Sequence, residues 1–171
     1  MGAVLAARRK GVRSARIAGA DLWLTAVRTF AGLRTFYLIG STDAVINATV
    51  ARLGREQPTL EVVGHRNGYM DDAAIEQLAN SLIARRPDVV LVAMGSPRQE
   101  LVMARLVRVW PALYMGLGGS FEIYAGRKRR APRAMQRLGL EWLHRFVTNP
   151  TRLPRLPMYV SFAVRLLQGR L

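Results

Sequence analysis

The sequence contains no cysteine, only two histidines and no long uninterrupted apolar run. The absence of cysteine excludes disulfides, thiolate nucleophiles and Cys-ligated metals, and His65 and His144 are too few for a His-rich metal site. No run reaches the roughly 18 to 20 apolar residues that a membrane-spanning helix needs. Any chemistry therefore rests on carboxylates, amides, hydroxyls and arginines, and we expect neither a cofactor nor a bound metal.

Acidic residues are also scarce, because 26 Lys and Arg stand against 11 Asp and Glu, for a net charge of +15. Residues 35–122 are nearly neutral, whereas residues 123–171 contain Glu141 as their one acidic residue. A basic end indicates an anionic partner such as phospholipid, diphosphate or nucleic acid, although a solubilising surface explains the charge equally well. The first residues, MGAVLAARRK, do not resemble a secretory signal, so we expect a cytoplasmic location.

Short branched and aromatic runs alternate with stretches of helical periodicity along the first 120 residues. The predicted strands are 35–39, 60–63, 89–94 and 112–115, and the predicted helices between them are 43–56, 73–86 and 97–110. Ile83 and Leu101 are assigned to the inward faces of the last two helices, and Pro97 to a first helical turn. Such alternation predicts an α/β fold, a Rossmann-like parallel sheet with helices on both faces.

Glycine-rich loops follow three of the predicted strands, as GSTD (40–43), GSPRQE (95–100) and GLGGS (116–120). In open α/β sheets ligands bind beyond the carboxyl ends of the strands. Glycines there allow a phosphate to approach the backbone closely, and helix N-termini attract its negative charge. Gln99 and Glu100 add groups that orient sugar hydroxyls. A nucleotide-sugar fits this inventory, although each loop taken alone is also explained as an ordinary βα turn.

Two further features separate the chain into regions. GLGGS is not a dinucleotide fingerprint, because Phe121 stands where the last glycine is required, and FEIYAG (121–126) is a poor helix start. We predict a Rossmann-like nucleotide-sugar-binding domain over 1–122 and a basic helical appendage over 123–171 for acceptor and membrane contact. Residues 158–167 suit a helix lying in a membrane interface, with a core-packing terminal helix as the alternative.

Several successive blocks resemble the motifs of the WecG/TagA/CpsF glycosyltransferase family. They are ARIAGADL (15–22), GHRNGYMDD (64–72), GSPRQE (95–100), YMGLGGSFEIYAGRKRRAP (114–132) and GLEWLHRFVTNPTRLPR (139–155). The resemblance covers essentially the whole chain, and the C-terminal half is most similar to the enterobacterial-antigen N-acetylmannosaminuronic acid transferase branch. It is carried by order and spacing together, since no single block is specific.

The resemblance implies an inverting transfer, without a bound metal, in cell-surface polysaccharide biosynthesis such as that of enterobacterial common antigen or teichoic acid. The donor would be a UDP-linked N-acetylmannosamine-type sugar, and the acceptor the 4-hydroxyl of GlcNAc on undecaprenyl diphosphate. The implied location is peripheral, on the anionic inner face of the cell membrane.

Site residues are carried over one by one. Gln99 matches the motif's glutamine and is assigned to the donor, Arg16 and Asp21 match an Arg-x-x-Gly-x-Asp block, and Glu122 stands where relatives carry aspartate. Glu100 and Asp21 are explained equally by helix starts. The complete predicted substrate-binding set is Arg16, Asp21, Gly95, Gln99, Glu100, Gly116, Gly118, Gly119, Glu122, Arg130, Arg145, Arg152 and Arg155.

The catalytic residue is left unassigned. The resemblance implies two earlier strands and an Asp-Gly pair whose aspartate is the base, whereas this sequence starts at Met1-Gly2, where the chain would follow that pair. We expect either a fragment of a longer enzyme or a degenerate member acting as a membrane-associated binding subunit. An exposed sheet edge would then favour self-association into a homo-oligomer. A nucleic-acid-binding module is disfavoured, because aromatics are not interleaved with the basic residues.

Overall fold

The computed structural model of the chain describes residues 19–132, together with Met135, Ser161, Val164 and Gln168. The chain divides into two compact units, one comprising Ala18–Arg129 and the other Met1–Ile17 with Arg130–Leu171. All helices and strands named below belong to the first unit. The predicted assignment of separate functions to 1–122 and 123–171 stays a prediction.

A four-stranded parallel sheet forms the centre of the first unit. Its strands are β1 (Thr35–Gly40), β2 (Glu61–Arg66), β3 (Val89–Ala93) and β4 (Leu113–Gly116), in the order β2-β1-β3-β4. Every residue of β3 is buried, as the apolar run at 89–94 predicted for a central strand covered on both faces.

Five helices in the described part of the chain cover the sheet. They are α1 (Gly19–Phe30), α2 (Asp43–Glu56), α3 (Asp72–Arg85), α4 (Arg98–Leu106) and α5 (Ser120–Tyr124). Strand alternation divides the core between the two faces, since Phe36 and Leu38 pack with residues of α1, α2 and α5, while Tyr37 and Ile39 pack with residues of α3 and α4. The predicted Rossmann-like α/β fold is confirmed.

Helical phase corrects two of the residues predicted to face inward. The buried stripe of α3 is Leu78, Ala79 and Leu82, so Ile83 lies past its border and is 44% exposed. The buried stripe of α4 includes Gln99, Val102 and Leu106, which leaves Leu101 66% exposed. The polar residue Gln99 thus lies on the buried face of α4, to which periodicity had assigned Leu101.

Three local predictions also differ from the structure. β2 continues to Arg66, beyond the predicted strand end at residue 63, because its backbone pairs with β1 as far as Ile39. Pro97 is the N-cap of α4 and does not lie in its first turn. The stretch FEIYAG does contribute to a helix, α5, whose Phe121 ring contacts Trp23 edge-on at a centroid distance of 5.7 Å. Tertiary burial overrides the weak local helix signal there.

No helix within residues 19–132 combines the length and hydropathy that crossing a membrane requires.

Candidate functional site

The strand order creates a switch point between β1 and β3. From β1 the chain moves outward to β2, and from β3 it moves outward to β4 on the other side, an order that in open parallel sheets leaves a crevice between the two central loops. We call the surface around this crevice the carboxyl edge, formed by residues 40–43, 67–71, 94–100 and 116–122. This is the place where open parallel sheets hold their ligands.

Close backbone contact joins the two central strands at the carboxyl edge. The Ser41 N–H donates to the carbonyl of Ala93 at 3.1 Å. Gly40 has φ +138°, and a Cβ at this position would lie 2.2 Å from the same carbonyl oxygen. Only glycine fits there, because a side chain would meet rigid backbone and a disfavoured conformation. The approach of these strands therefore depends on Gly40.

The loop after β2 folds over the loop after β1. Gly68 N–H donates to the Ser41 carbonyl at 2.8 Å, and the Asn67 amide donates to both carboxylate oxygens of Asp43 at 2.9 and 3.0 Å. The Asn67 side-chain oxygen in turn accepts from the backbone N–H of Tyr69 at 3.0 Å. The side-chain nitrogen of Asn67 thus binds Asp43 after β1, and its side-chain oxygen holds the backbone of its own loop after β2.

Tyr69 is a residue that the sequence analysis did not select. Its side chain is 73% exposed at the carboxyl edge, on a loop whose Met70 carbonyl accepts a hydrogen bond from Arg98 at 2.7 Å. An exposed aromatic ring on a held loop is a suitable stacking surface for a flat ligand. The signal in the sequence was the turn-rich block GHRNGYMDD, which ends a strand at this edge.

The helix starts at this edge are capped differently. Asp71 precedes α3 and accepts from the Ala74 N–H at 2.8 Å, which is an ordinary N-cap. Thr42 precedes α2 and makes no side-chain capping hydrogen bond. Beside it, the carboxylate of Asp43 is held by Asn67. The first N–H groups of α2 therefore donate no hydrogen bond to the side chain of the N-cap residue.

Gln99 lies beneath the glycine loop after β4 and is only 7% exposed. Its side-chain oxygen accepts from the Gly118 N–H at 2.8 Å, and its side-chain nitrogen donates to the Glu100 carboxylate at 2.9 Å. A Cβ on Gly116 would lie 2.7 Å from that nitrogen. Gln99 therefore connects the start of α4 with the loop after β4.

Several backbone N–H groups of the glycine loop are used within the protein. Leu117 donates to the Val92 carbonyl at 2.7 Å, Gly118 to Gln99 at 2.8 Å and Ser120 to the Leu117 carbonyl at 3.3 Å. The predicted role of Gly116, Gly118 and Gly119 in ligand binding therefore rests on close backbone approach more than on a row of free N–H donors.

The two predicted site carboxylates in this region have partners. The Gln99 hydrogen bond lowers the pKa of Glu100, so this group stays ionised and is a weak proton acceptor. Glu122 forms an ion pair with Lys128 at 2.5 Å, and its Oε2 lies 3.1 Å from where a Gly119 Cβ would be. Both carboxylates shape the electrostatics of the edge, and the lowered pKa of Glu100 makes this group a poor general base.

The remaining predicted residues divide into two groups. Asp21 lies in the first turn of α1, and Arg130 is half-buried in the second compact unit. Arg16, Arg145, Arg152 and Arg155 lie outside the described residues. Within residues 19–132, we find no group of three or more histidine or carboxylate side chains that could hold a metal ion.

A polar cluster links α2 to α5 on the face that carries Trp23. The Tyr124 hydroxyl donates to Glu56 at 2.8 Å, and the Arg52 guanidinium lies 4.3 Å from the Tyr124 ring centroid while donating to Glu56 at 2.6 Å. The Arg52 bond lowers the pKa of Glu56, and burial raises the pKa of Tyr124. The cluster secures the short helix that follows the glycine loop.

The family model described as the glycosyl transferase WecG/TagA/CpsF family matches residues 1–171, the whole sequence. This match confirms the resemblance carried by the GSPRQE and GLGGSFEIYAGRKRRAP blocks, whose loops the fold places at the carboxyl edge. The chain therefore belongs to the glycosyl transferase WecG/TagA/CpsF family.

Proposed function

We propose that this chain binds a UDP-sugar at the carboxyl edge and transfers an N-acetylmannosamine-type sugar to GlcNAc on a polyprenyl diphosphate. The product would be an intermediate of cell-surface polysaccharide biosynthesis. The proposal combines membership of a glycosyltransferase family with the crevice between β1 and β3, where parallel sheets of this order bind nucleotides.

The observation that carries the proposal is the mutual support of the loops at the carboxyl edge. Ser41 contacts Ala93 and Gly68, and Arg98 contacts Met70, so the loops after β1, β2 and β3 are joined by hydrogen bonds to backbone atoms. A binding surface held before the ligand arrives loses less conformational entropy on binding. These loops support a site for one extended ligand such as a nucleotide-sugar.

Tyr69 is the residue to which we assign the base of the nucleotide. Its ring is exposed at the edge, and the backbone on either side is fixed by Asn67 and Arg98. Stacking of a base on an aromatic side chain contributes roughly 1 to 3 kcal/mol. With the base on Tyr69, the diphosphate and sugar would extend toward Gly95 and the loop that contains Gly118.

The transfer itself requires two kinds of assistance. The acceptor hydroxyl attacks the anomeric carbon while the bond from this carbon to UDP breaks, so a base must take the hydroxyl proton and cations or N–H groups must stabilise the leaving diphosphate. The carboxylates of Glu100 and Glu122 are already engaged, by Gln99 and Lys128 respectively. We therefore assign them to positioning, and we assign no residue of this chain as the base.

The acceptor and the membrane are assigned to the basic C-terminal region. Arginine binds diphosphate through paired N–H groups, and clusters of arginine bind anionic lipid surfaces. We propose that Arg130, Arg145, Arg152 and Arg155 bind the acceptor diphosphate at the inner face of the cell membrane, where the protein would be peripheral. Self-association into a homo-oligomer stays part of this proposal.

A second candidate is a family member that binds the donor without turning it over. It is favoured by the engagement of three carboxylates at the carboxyl edge, since Asp43, Glu100 and Glu122 are bound to Asn67, Gln99 and Lys128. Such a protein would act as a membrane-associated binding subunit for other synthesis enzymes.

Calorimetric titration of the purified chain with UDP and UDP-N-acetylmannosamine tests the proposal, with ADP as the control nucleotide. A transfer assay on polyprenyl-diphosphate-linked GlcNAc is run beside it. Binding of the UDP compounds together with transfer supports the enzyme, and binding without transfer supports the second candidate. If the UDP compounds bind no better than ADP, the assignment of the carboxyl edge as a UDP-sugar site is wrong.

A further inference from the structure

We infer that Gln99 is a positioning residue, which holds the glycine loop after β4 in place and does not itself contact the donor. Family resemblance alone assigned Gln99 to the donor. The structure shows its oxygen bound to the Gly118 N–H and its nitrogen bound to Glu100, with the side chain almost fully buried. The consequence for donor binding rests on the proposed function, whereas the clamp itself does not.

The orientation of the Gln99 amide follows from the chemistry of its neighbours. A backbone N–H can only donate, so the atom of Gln99 that faces Gly118 must be the oxygen. An ionised carboxylate can only accept, so the atom that faces Glu100 must be the nitrogen. Glu100 therefore fixes the amide in the one orientation that binds Gly118. This makes Glu100 part of the clamp as well as a first-turn residue of α4.

The space around the amide also favours a positioning role. Gly116 has no positive φ, yet a Cβ there would lie 2.7 Å from the Gln99 nitrogen and 3.2 Å from the end of Met103. Glycine is therefore needed at 116 for space and not for conformation. The amide is enclosed by β4, Gly118 and Glu100, with little surface left for a sugar or a phosphate.

The clamp acts on the loop through a residue with special geometry. Gly118 has φ +60°, a conformation that favours glycine, and there is open space where a Cβ would lie. The hydrogen bond from its N–H to Gln99 crosses from the loop to the start of α4. Loss of this bond would release the loop that we propose approaches the diphosphate.

Variants that remove the amide of Gln99, or exchange it with the carboxylate of Glu100, test the inference. Gln99→Met removes both hydrogen bonds at similar volume. Gln99→Glu keeps an acceptor for Gly118 but sets two carboxylates side by side. The double variant Gln99→Glu with Glu100→Gln restores both bonds with the roles reversed, because the new amide donates to the new carboxylate. Gln77→Met on α3, an exposed position away from the edge, is the matched control.

The first readout is amide hydrogen exchange at Gly118 in the free protein, which needs no ligand. One neutral hydrogen bond corresponds to roughly a two- to tenfold change in the opening equilibrium. We expect Gln99→Met to speed exchange at Gly118 by roughly this factor and the double variant to return it to the wild-type rate. Unchanged exchange in Gln99→Met would overturn the clamp, whether or not UDP binds.

The second readout is UDP affinity by calorimetry. A positioning role predicts that Gln99→Met weakens binding roughly tenfold and that the double variant recovers to within about threefold of wild type. Direct contact with the diphosphate predicts that a carboxylate at 99 prevents binding in both Glu variants. Recovery of loop exchange without recovery of UDP affinity would therefore overturn the positioning role. If the wild-type chain fails to bind UDP, the proposed function fails and the exchange measurement still decides the clamp.

Discussion

The two edges of the sheet are held together in different ways. At the carboxyl edge several residues each make one or two contacts, among them Gly40, Asn67 and Gln99, and the loops between them contain glycines and an exposed aromatic ring. We call the opposite surface the amino edge, formed by residues 31–34, 57–60, 86–88 and 107–112. There a single aspartate joins three strands.

Asp88 is the centre of the amino edge. Its carboxylate accepts from the backbone N–H and the hydroxyl of Thr35 at 2.8 and 3.0 Å, while its own carbonyl accepts from Leu113 at 2.9 Å. Arg34 lies 3.7 Å from the same carboxylate. These bonds join the starts of β1, β3 and β4. These contacts of Asp88 lie at the amino edge and away from the carboxyl edge, so we expect its effect to be on stability and not on a ligand site.

The comparison shows how one sheet separates two tasks. Contacts at the amino edge fix where strands begin, and they are compact because no space must be kept open. Contacts at the carboxyl edge must leave a crevice, so they are distributed among loops that meet by close backbone approach. Changes at the two edges should therefore affect stability and ligand binding to different degrees, which the following variants measure.

The largest effect is expected for Gly40→Ala. A Cβ at this position would lie 2.2 Å from the Ala93 carbonyl oxygen in a conformation that alanine rarely adopts, so we expect a loss of roughly 3 kcal/mol in the free energy of unfolding. Gly54→Ala in α2 is the control, because nothing lies within 4 Å of its added Cβ. Denaturant unfolding checks both. Equal stability of the two variants would show that the strands do not depend on Gly40.

The next effect is on binding alone. Tyr69 and Leu33 are 73% and 72% exposed, at the carboxyl and amino edges respectively. We expect Tyr69→Ala to weaken UDP affinity by roughly 1 to 3 kcal/mol through loss of base stacking, with little change in stability. Leu33→Ala should leave UDP affinity unchanged. If calorimetry finds the same affinity for both variants, the base does not stack on Tyr69.

Asp88→Ala should lower stability and leave UDP affinity unchanged. We expect a loss of roughly 1 to 2 kcal/mol, modest because the carboxylate is part-exposed and water can reach its partners. Hydrogen bonds from Thr35 lower the pKa of Asp88 below its usual value. Because the pKa of Asp88 is lower in the folded protein than in the unfolded chain, its carboxylate stabilises the fold at pH values above the unfolded-state pKa. This stabilisation is lost as the pH falls through the folded-state pKa.

The pH dependence of stability in Asp88→Ala and in wild type tests this prediction. Urea unfolding measured from neutral pH down through the acidic range should show a smaller decline for Asp88→Ala than for wild type. Parallel profiles would mean that the Asp88 carboxylate does not couple the amino edge to protonation.

The smallest effect is expected for Tyr124→Phe, which removes the hydroxyl bond to Glu56 but keeps the ring against Trp23 and Arg52. We expect a loss of roughly 0.5 to 1.5 kcal/mol in thermal or denaturant unfolding. Arg52→Met tests the same cluster from the other side. Because the cluster lies behind α5 and not in the crevice, a large loss of UDP affinity in Tyr124→Phe would contradict the division of tasks.

Much of the fold was predictable from periodicity. The apolar run at 89–94 indicated the central strand β3, and the alternation of strands and helices indicated a parallel sheet. Periodicity failed where a polar side chain took a buried position, as Gln99 did in α4 while Leu101 faced solvent. It also failed at α5, a helix of five residues that depends on burying Phe121 and Tyr124.

The site was predictable at the level of loops and blocks. The sequence predicts the glycine loops after β1, β3 and β4 at one edge, because parallel strands put their carboxyl ends together. Tyr69 and Asn67 were not predicted as site residues, because the GHRNGYMDD block that contains them showed a family resemblance but no recognisable catalytic or ligand-binding pattern. Their importance comes from the neighbouring loops that they contact.

The sequence by itself determined the α/β class, the family and the absence of cysteine chemistry, because these depend on composition, periodicity and ordered motifs. Only the tertiary structure decided which atoms meet: Gly40 against Ala93, Gln99 against Gly118, and Asp88 against Thr35. The residues of each pair come from different parts of the chain, and the two side-chain bonds join residues that are at least 19 positions apart. Local pattern contains no information about such partners, because strand order and loop path bring them together.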